Sequence, residues 1–73
     1  MNYTKENTKE FENLDLEILY INKQKEPMTI SCKIIERNNL LKCQMNDFKI
    51  CMNYENIKSI KVLETNKISI TSN

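Results

Sequence analysis

Apolar and polar side chains alternate along most of this chain, and the alternation is what predicts its elements. Leu14, Leu16, Ile18 and Tyr20 alternate with Asp15, Glu17 and Leu19, the two-residue period of a strand whose far end is apolar on both faces. The run Asn22-Lys23-Gln24-Lys25-Glu26-Pro27 then breaks the pattern and reads as a loop, since Pro27 has no N–H to give to a ladder. Three further stretches alternate: Met28, Ile30, Cys32 and Ile34; Leu41, Cys43 and Met45; Phe48, Ile50 and Met52. If Asn38-Asn39 and Asn46-Asp47 are two-residue turns, Ile34 faces Cys43, Cys32 faces Met45, Met45 faces Phe48 and Cys43 faces Ile50. Every such pair is apolar. A slip of one residue would set the same face against Lys and Gln, so turns and pattern select one register. A three-stranded meander follows.

Asn53 to Ile57 is too short for a regular helix and suits one 3₁₀ turn. Ile60 and Val62, then Ile68 and Ile70, alternate with polar residues, and Glu64-Thr65-Asn66 reads as a three-residue hairpin loop. At the other end, positions 3, 7, 11 and 14 would share a helical face, but Asn7 interrupts it, so residues 1–13 read either as a short N-terminal helix or as a polar tail. The predicted fold is therefore mainly β: residues 14–73 form a single small domain, an antiparallel five- or six-stranded barrel or curled sheet. Closure is expected because an open sheet would leave long edges.

The stretch from Ile18 to Val62 resembles the small SH3-like and Sm-like barrels, with the YolD-like family of short bacterial and phage proteins as the nearest in flavour. The resemblance lies in Ile18-Leu19-Tyr20 on an opening strand, Ile30-Ser31-Cys32-Lys33-Ile34 before a turn, and the closing Ile50-Cys51-Met52-Asn53-Tyr54-Glu55-Asn56-Ile57-Lys58-Ser59-Ile60. It implies a strand, a short helical turn and a last strand at the end of the fold. The glycine usual in the second strand of these families would fall near Cys32.

Composition narrows the chemistry. The 73 residues include no Gly and no His, which removes phosphate-cradling loops, nucleophile elbows and imidazole acids, bases or ligands. Asparagine is then the residue left to take left-handed turn conformations, at Asn38-Asn39, Asn46-Asp47 and Asn66. Ten Lys to one Arg, with abundant Asn and Ile, is what the codon bias of a low-GC genome produces. No apolar run approaches a membrane span and the N-terminus lacks the apolar stretch of a signal peptide, so a cytoplasmic protein with no membrane partner is expected. Three cysteines at positions 32, 43 and 51 match neither a zinc ribbon nor a redox pair, and free thiols are the expected state. Cys32 and Cys43 fall on the apolar face. Cys51 falls outside it, opposite Lys42, and is the candidate reactive thiol.

Asp15 and Glu17 would project from one exposed strand face, solvated, and no catalytic set, cofactor site or metal site emerges. Charge is unevenly placed: residues 1–20 carry two basic and five acidic side chains, residues 21–73 nine basic and five acidic. The expected function is a small non-enzymatic protein-interaction module, a regulator or an inhibitor encoded by a phage or mobile element. Its candidate partner surface comprises Leu19, Ile21 and Ile35, read as exposed apolar positions, with Lys33, Lys42, Lys49 and Tyr54. Those apolar positions could also pair copies of the chain as a homo-oligomer. The alternative is a nucleic-acid-binding barrel in which Lys33, Lys42 and Lys49 meet phosphates and Tyr54 offers a stacking ring; against it stand five offsetting acids, a single Arg, Arg37, for base contacts, and no aromatic run on that face.

Overall fold

The computed structural model of the protein describes residues 2–63. Five antiparallel strands form one sheet: β1 (Leu16–Ile21), β2 (Pro27–Arg37), β3 (Leu41–Gln44), β4 (Lys49–Met52) and β5 (Ile57–Val62), in the order β4-β3-β2-β1-β5. The expected hairpin of residues 64–70 lies outside the described residues. A 3₁₀ turn at Tyr54–Asn56 carries the chain from β4, on one edge, to β5 on the other. The eleven-residue β2 serves two neighbours in succession: Pro27 to Cys32 pair with β1, and Lys33 to Arg37 pair with β3. Alternation then sends one face inward. Leu16, Ile18, Ile30, Ile34, Leu41 and Cys43 are all buried, joined by Tyr20, Cys32, Met52 and Ile57. Pro27 is not part of the loop as expected but opens β2, the strand position where its missing N–H does least harm.

The inner register is the one the pattern selects, with Ile34 opposite Cys43 and Cys43 opposite Ile50. It is reached differently at the first turn. Asn38, Asn39 and Leu40 make a three-residue loop, closed by the Asn38 N–H donating to the Leu40 carbonyl (3.1 Å), so that Arg37 sits opposite Leu41. The register shifts by one between Ile34 and Glu36, where Ile35 is an unpaired bulge residue, and this restores the core pairing. At the second turn the Met45 N–H donates to the Phe48 carbonyl (2.8 Å), around Asn46-Asp47 as expected. Phe48, placed on the apolar face by its alternation, is instead 61% exposed, because it lies at the hairpin tip outside the paired strands. Met28, in the part of β2 that runs past the same turn, is likewise exposed.

The left-handed positions also differ from expectation. Neither Asn38, Asn39, Asn46 nor Asp47 has positive φ; among the described residues Asn13 (φ 66°) and Lys25 (φ 67°) do. Lys25 closes the three-residue β1–β2 loop, where Asn22 Oδ1 accepts from the N–H groups of Gln24 and Glu26 (2.9 Å each) and the Asn22 N–H donates to the Glu26 carbonyl (2.9 Å). This is a hairpin loop with its last residue left-handed, a place that favours Gly or Asn and costs a lysine about 1 kcal/mol. Lys25→Asn is expected to raise stability by about 0.5–1 kcal/mol, read as a higher urea midpoint, and Lys25→Val to lower it.

Residues 2–14 form neither a regular helix nor a tail. They make a turn closed at Thr4 and Asn7, whose side chains each accept from the other's backbone N–H, followed by a 3₁₀ turn at Lys9–Phe11. Thr8, not Asn7, takes the inward position: it is fully buried, and its hydroxyl donates to the carbonyls of Thr4 and Lys5. Tyr3 and Phe11 pack on the core, the Tyr3 hydroxyl accepts from the Ile60 N–H (3.2 Å), and Glu12 bridges to Ile34.

Candidate functional site

The β1–β2 loop and the β4 edge stand on either side of a groove of about 640 Å³. Its floor is apolar, from Tyr20 and Ile21 at the end of β1, Leu40 after the first turn, and Ile50 and Met52 of β4. Its polar lining comes from Lys23 and Lys49, the amides of Asn22, Gln24, Asn53 and Asn56, and the exposed Cys51. Asn22 holds one wall by the side-chain acceptor bonds that shape the loop; continuous pairing of Lys49–Met52 with β3 holds the other. Among the described residues no carboxylate lines it, and Lys23 and Lys49 are the charged residues of its lining.

Of the residues expected at a partner surface, Ile21 and Lys49 meet here, together with Cys51, the candidate reactive thiol. Cys51 lies opposite Lys42 on the exposed face, as the register requires. Lys33, Gln44 and Lys49 form one cross-strand row and Glu36, Lys42 and Cys51 the next. Two of these lysines face acids: Lys33 Nζ lies 3.6 Å from Asp15, and Lys42 Nζ 3.3 Å from Glu36. Asp15 is thus paired rather than merely solvated. Leu19 and Ile21 are half-buried rather than exposed; Leu19 lies between Thr29 and Ser59 on a mostly polar face. Ile35 is exposed, but at its bulge and away from the groove.

Tyr54 and Arg37 have other work. The Tyr54 hydroxyl donates to the Asn38 carbonyl (2.8 Å), fixing the ring across the β2–β3 loop; burial pushes its pKa up, against the pull of nearby Arg37. Arg37 reaches back to the N-terminal segment, donating to the Lys5 carbonyl, with Nε 3.1 Å from Glu12 in ionic contact but outside hydrogen-bond geometry. The one guanidinium of the chain is therefore committed within the fold.

Cys32 and Cys43 lie inside, and the hydrogen bond that the Cys43 thiol donates to Cys32, together with burial, pushes the Cys43 pKa well up and holds it protonated. Among the described residues no group of three or more His, Cys, Asp or Glu side chains is placed to hold a metal ion, and no helix is long and apolar enough to cross a membrane. A second recess of about 450 Å³, between Asp15, Ser31, Lys33 and Gln44, contains the Lys33–Asp15 pair and so neutralises itself. Lys23, Leu40 and Met52 enter the groove without having been expected there. The signal for Lys23 was Asn22, whose carboxamide can cap a loop at residues two and four ahead.

Comparisons with protein-family models, with curated proteins and with solved structures find no match.

Proposed function

We propose that this chain is a small non-catalytic protein-interaction module, a regulator or inhibitor that binds its partner in the groove between the β1–β2 loop and β4. The observation that carries the reading is the lining: an apolar floor with two lysines and, among the described residues, no acid. Apolar area supplies affinity and the unpaired charges supply selection, the usual division at recognition surfaces. The strand order and the 3₁₀ turn before β5 are in keeping with an SH3-like arrangement, a scaffold that hosts many binding functions.

Cys51 makes the groove testable. It is the exposed thiol of three, so a benzophenone maleimide should add once per native chain and three times after denaturation, by intact mass. Irradiating the labelled protein in extract of its source cells should then give a discrete protein adduct that survives nuclease. A control label at Lys58→Cys in a Cys51→Ser background, on the far edge of the sheet, should not. Equal adducts from both positions, or adducts only to nucleic acid, would count against the reading.

A further inference from the structure

We infer that the groove takes an extended acidic peptide segment of a protein partner, which adds as a sixth strand along the outer edge of β4. The inference rests on the interaction reading above and names its ligand. Its first support is the hydrogen-bond phase of the edge. Met45 and Phe48 form a hydrogen-bonded pair across the turn, so going down the ladder Lys49 is in a non-bonded pair, Ile50 in a bonded one and Cys51 in a non-bonded one. The N–H and C=O groups of Lys49 and Cys51 therefore point away from β3, and among the described residues no strand pairs with that edge. The groove runs along it.

The contrast between the two sheet edges is the second support. Edge strands are commonly guarded by bulges and lysines. On β5 a bulge at Lys58, where the register passes from Leu19–Ser59 to Tyr20–Ile57, breaks the line, and Lys58 and Lys61 are exposed. On β4 the register runs unbroken from Leu41–Met52 to Gln44–Lys49, and its edge borders an apolar floor. An incoming strand finds a straight edge, somewhere to bury alternate side chains, and cations for the others.

Charge complementarity chooses the occupant. With Lys23, Lys49 and no carboxylate in the lining, alternate acidic side chains are matched while the intervening apolar ones meet Ile21, Leu40 and Ile50. Backbone pairing gives affinity in such complexes, and alternate side chains give specificity.

The probe is a synthetic peptide of about ten residues alternating Val and Glu, compared with its Lys counterpart and with two versions N-methylated on alternate residues. The Glu peptide should bind, weaken with ionic strength, and on saturation slow amide exchange of Lys49 and Cys51 by about tenfold or more. The Lys peptide should bind at least about tenfold more weakly, and one of the two N-methylated versions should lose binding while the other keeps it. Lys23→Glu with Lys49→Glu should invert the preference between the Glu and Lys peptides. Equal binding of both N-methylated versions, unchanged exchange at Lys49 and Cys51 in the bound state, or an oligothymidylate displacing the peptide and binding more tightly, overturns the proposal. Self-association that protects the same two amides without peptide overturns it in favour of a second copy of the chain. Protein adducts at Cys51 with no slowing of these amides would end strand addition and leave the interaction reading standing, whereas absence of adducts would end that reading itself.

Discussion

Ile18→Ala is expected to be the most damaging conservative truncation in the chain, lowering unfolding free energy by about 2–5 kcal/mol. Ile18 is fully buried at the centre of β1, with Ile30 of β2 opposite on one side and Ile60 of β5 on the other. Removing its outer carbons leaves a void between three strands whose backbones are fixed by pairing, so little can collapse into it. A domain of this length has roughly 4–11 kcal/mol in total, so the variant should be partly unfolded at physiological temperature. Leu19→Ala, one residue along, provides the control: Leu19 is half-buried between Thr29 and Ser59 and should cost about 1 kcal/mol or less. Urea denaturation of the pair checks this, and equal midpoints would refute the inward assignment of Ile18.

The second large effect is at Arg37. Its side chain is only 15% exposed and ties the N-terminal segment to the end of β2 through the Lys5 carbonyl and Glu12. Arg37→Ala should cost about 1–3 kcal/mol, since it removes charged hydrogen bonding from a mostly covered site. Glu12→Ala should cost less, because its carboxylate is more open to water and the Lys5 contact persists. Amide exchange should quicken across residues 4–12 in Arg37→Ala while β3 and β4 stay protected. Unchanged exchange there would show that Thr8, Tyr3 and Phe11 hold the segment without the guanidinium.

Much of the sheet could be read in the sequence because burial on one face and exposure on the other impose a period of two, which β2, β3 and β4 keep outside the bulge at Ile35. The inward placing of Cys32 and Cys43, and the outward placing of Cys51 opposite Lys42, follow from that period alone. The N-terminal segment was not legible. What orders it is contact with distant residues, such as the Tyr3 hydroxyl meeting the Ile60 N–H 57 positions away, and no local periodicity announces such a bond. Nor could the groove be foreseen as a unit. Ile21 and Lys23 are far along the chain from Lys49 and Cys51, and the edge status of β4 depends on the whole strand order. The exposure of Phe48 escaped for a related reason: alternation tells which side of a strand a residue takes, not where the paired strands end.

The bulge at Ile35 and the three-residue loop at Asn38 to Leu40 cancel one another in the ladder, and this gives the β2–β3 arm an arithmetic of its own. Deleting Ile35 alone would leave the three-residue loop on an unbroken ladder, and deleting one loop residue alone would leave the bulge behind a two-residue turn; in both, Ile34 stays opposite Cys43. Deleting one from both would give a plain two-residue turn on an unbroken ladder, with the same residues facing the core. The chain is thus a single deletion away from a shorter arm with an identical interior. Length variation in this arm should therefore be tolerated one residue at a time at either place, invisible to the core.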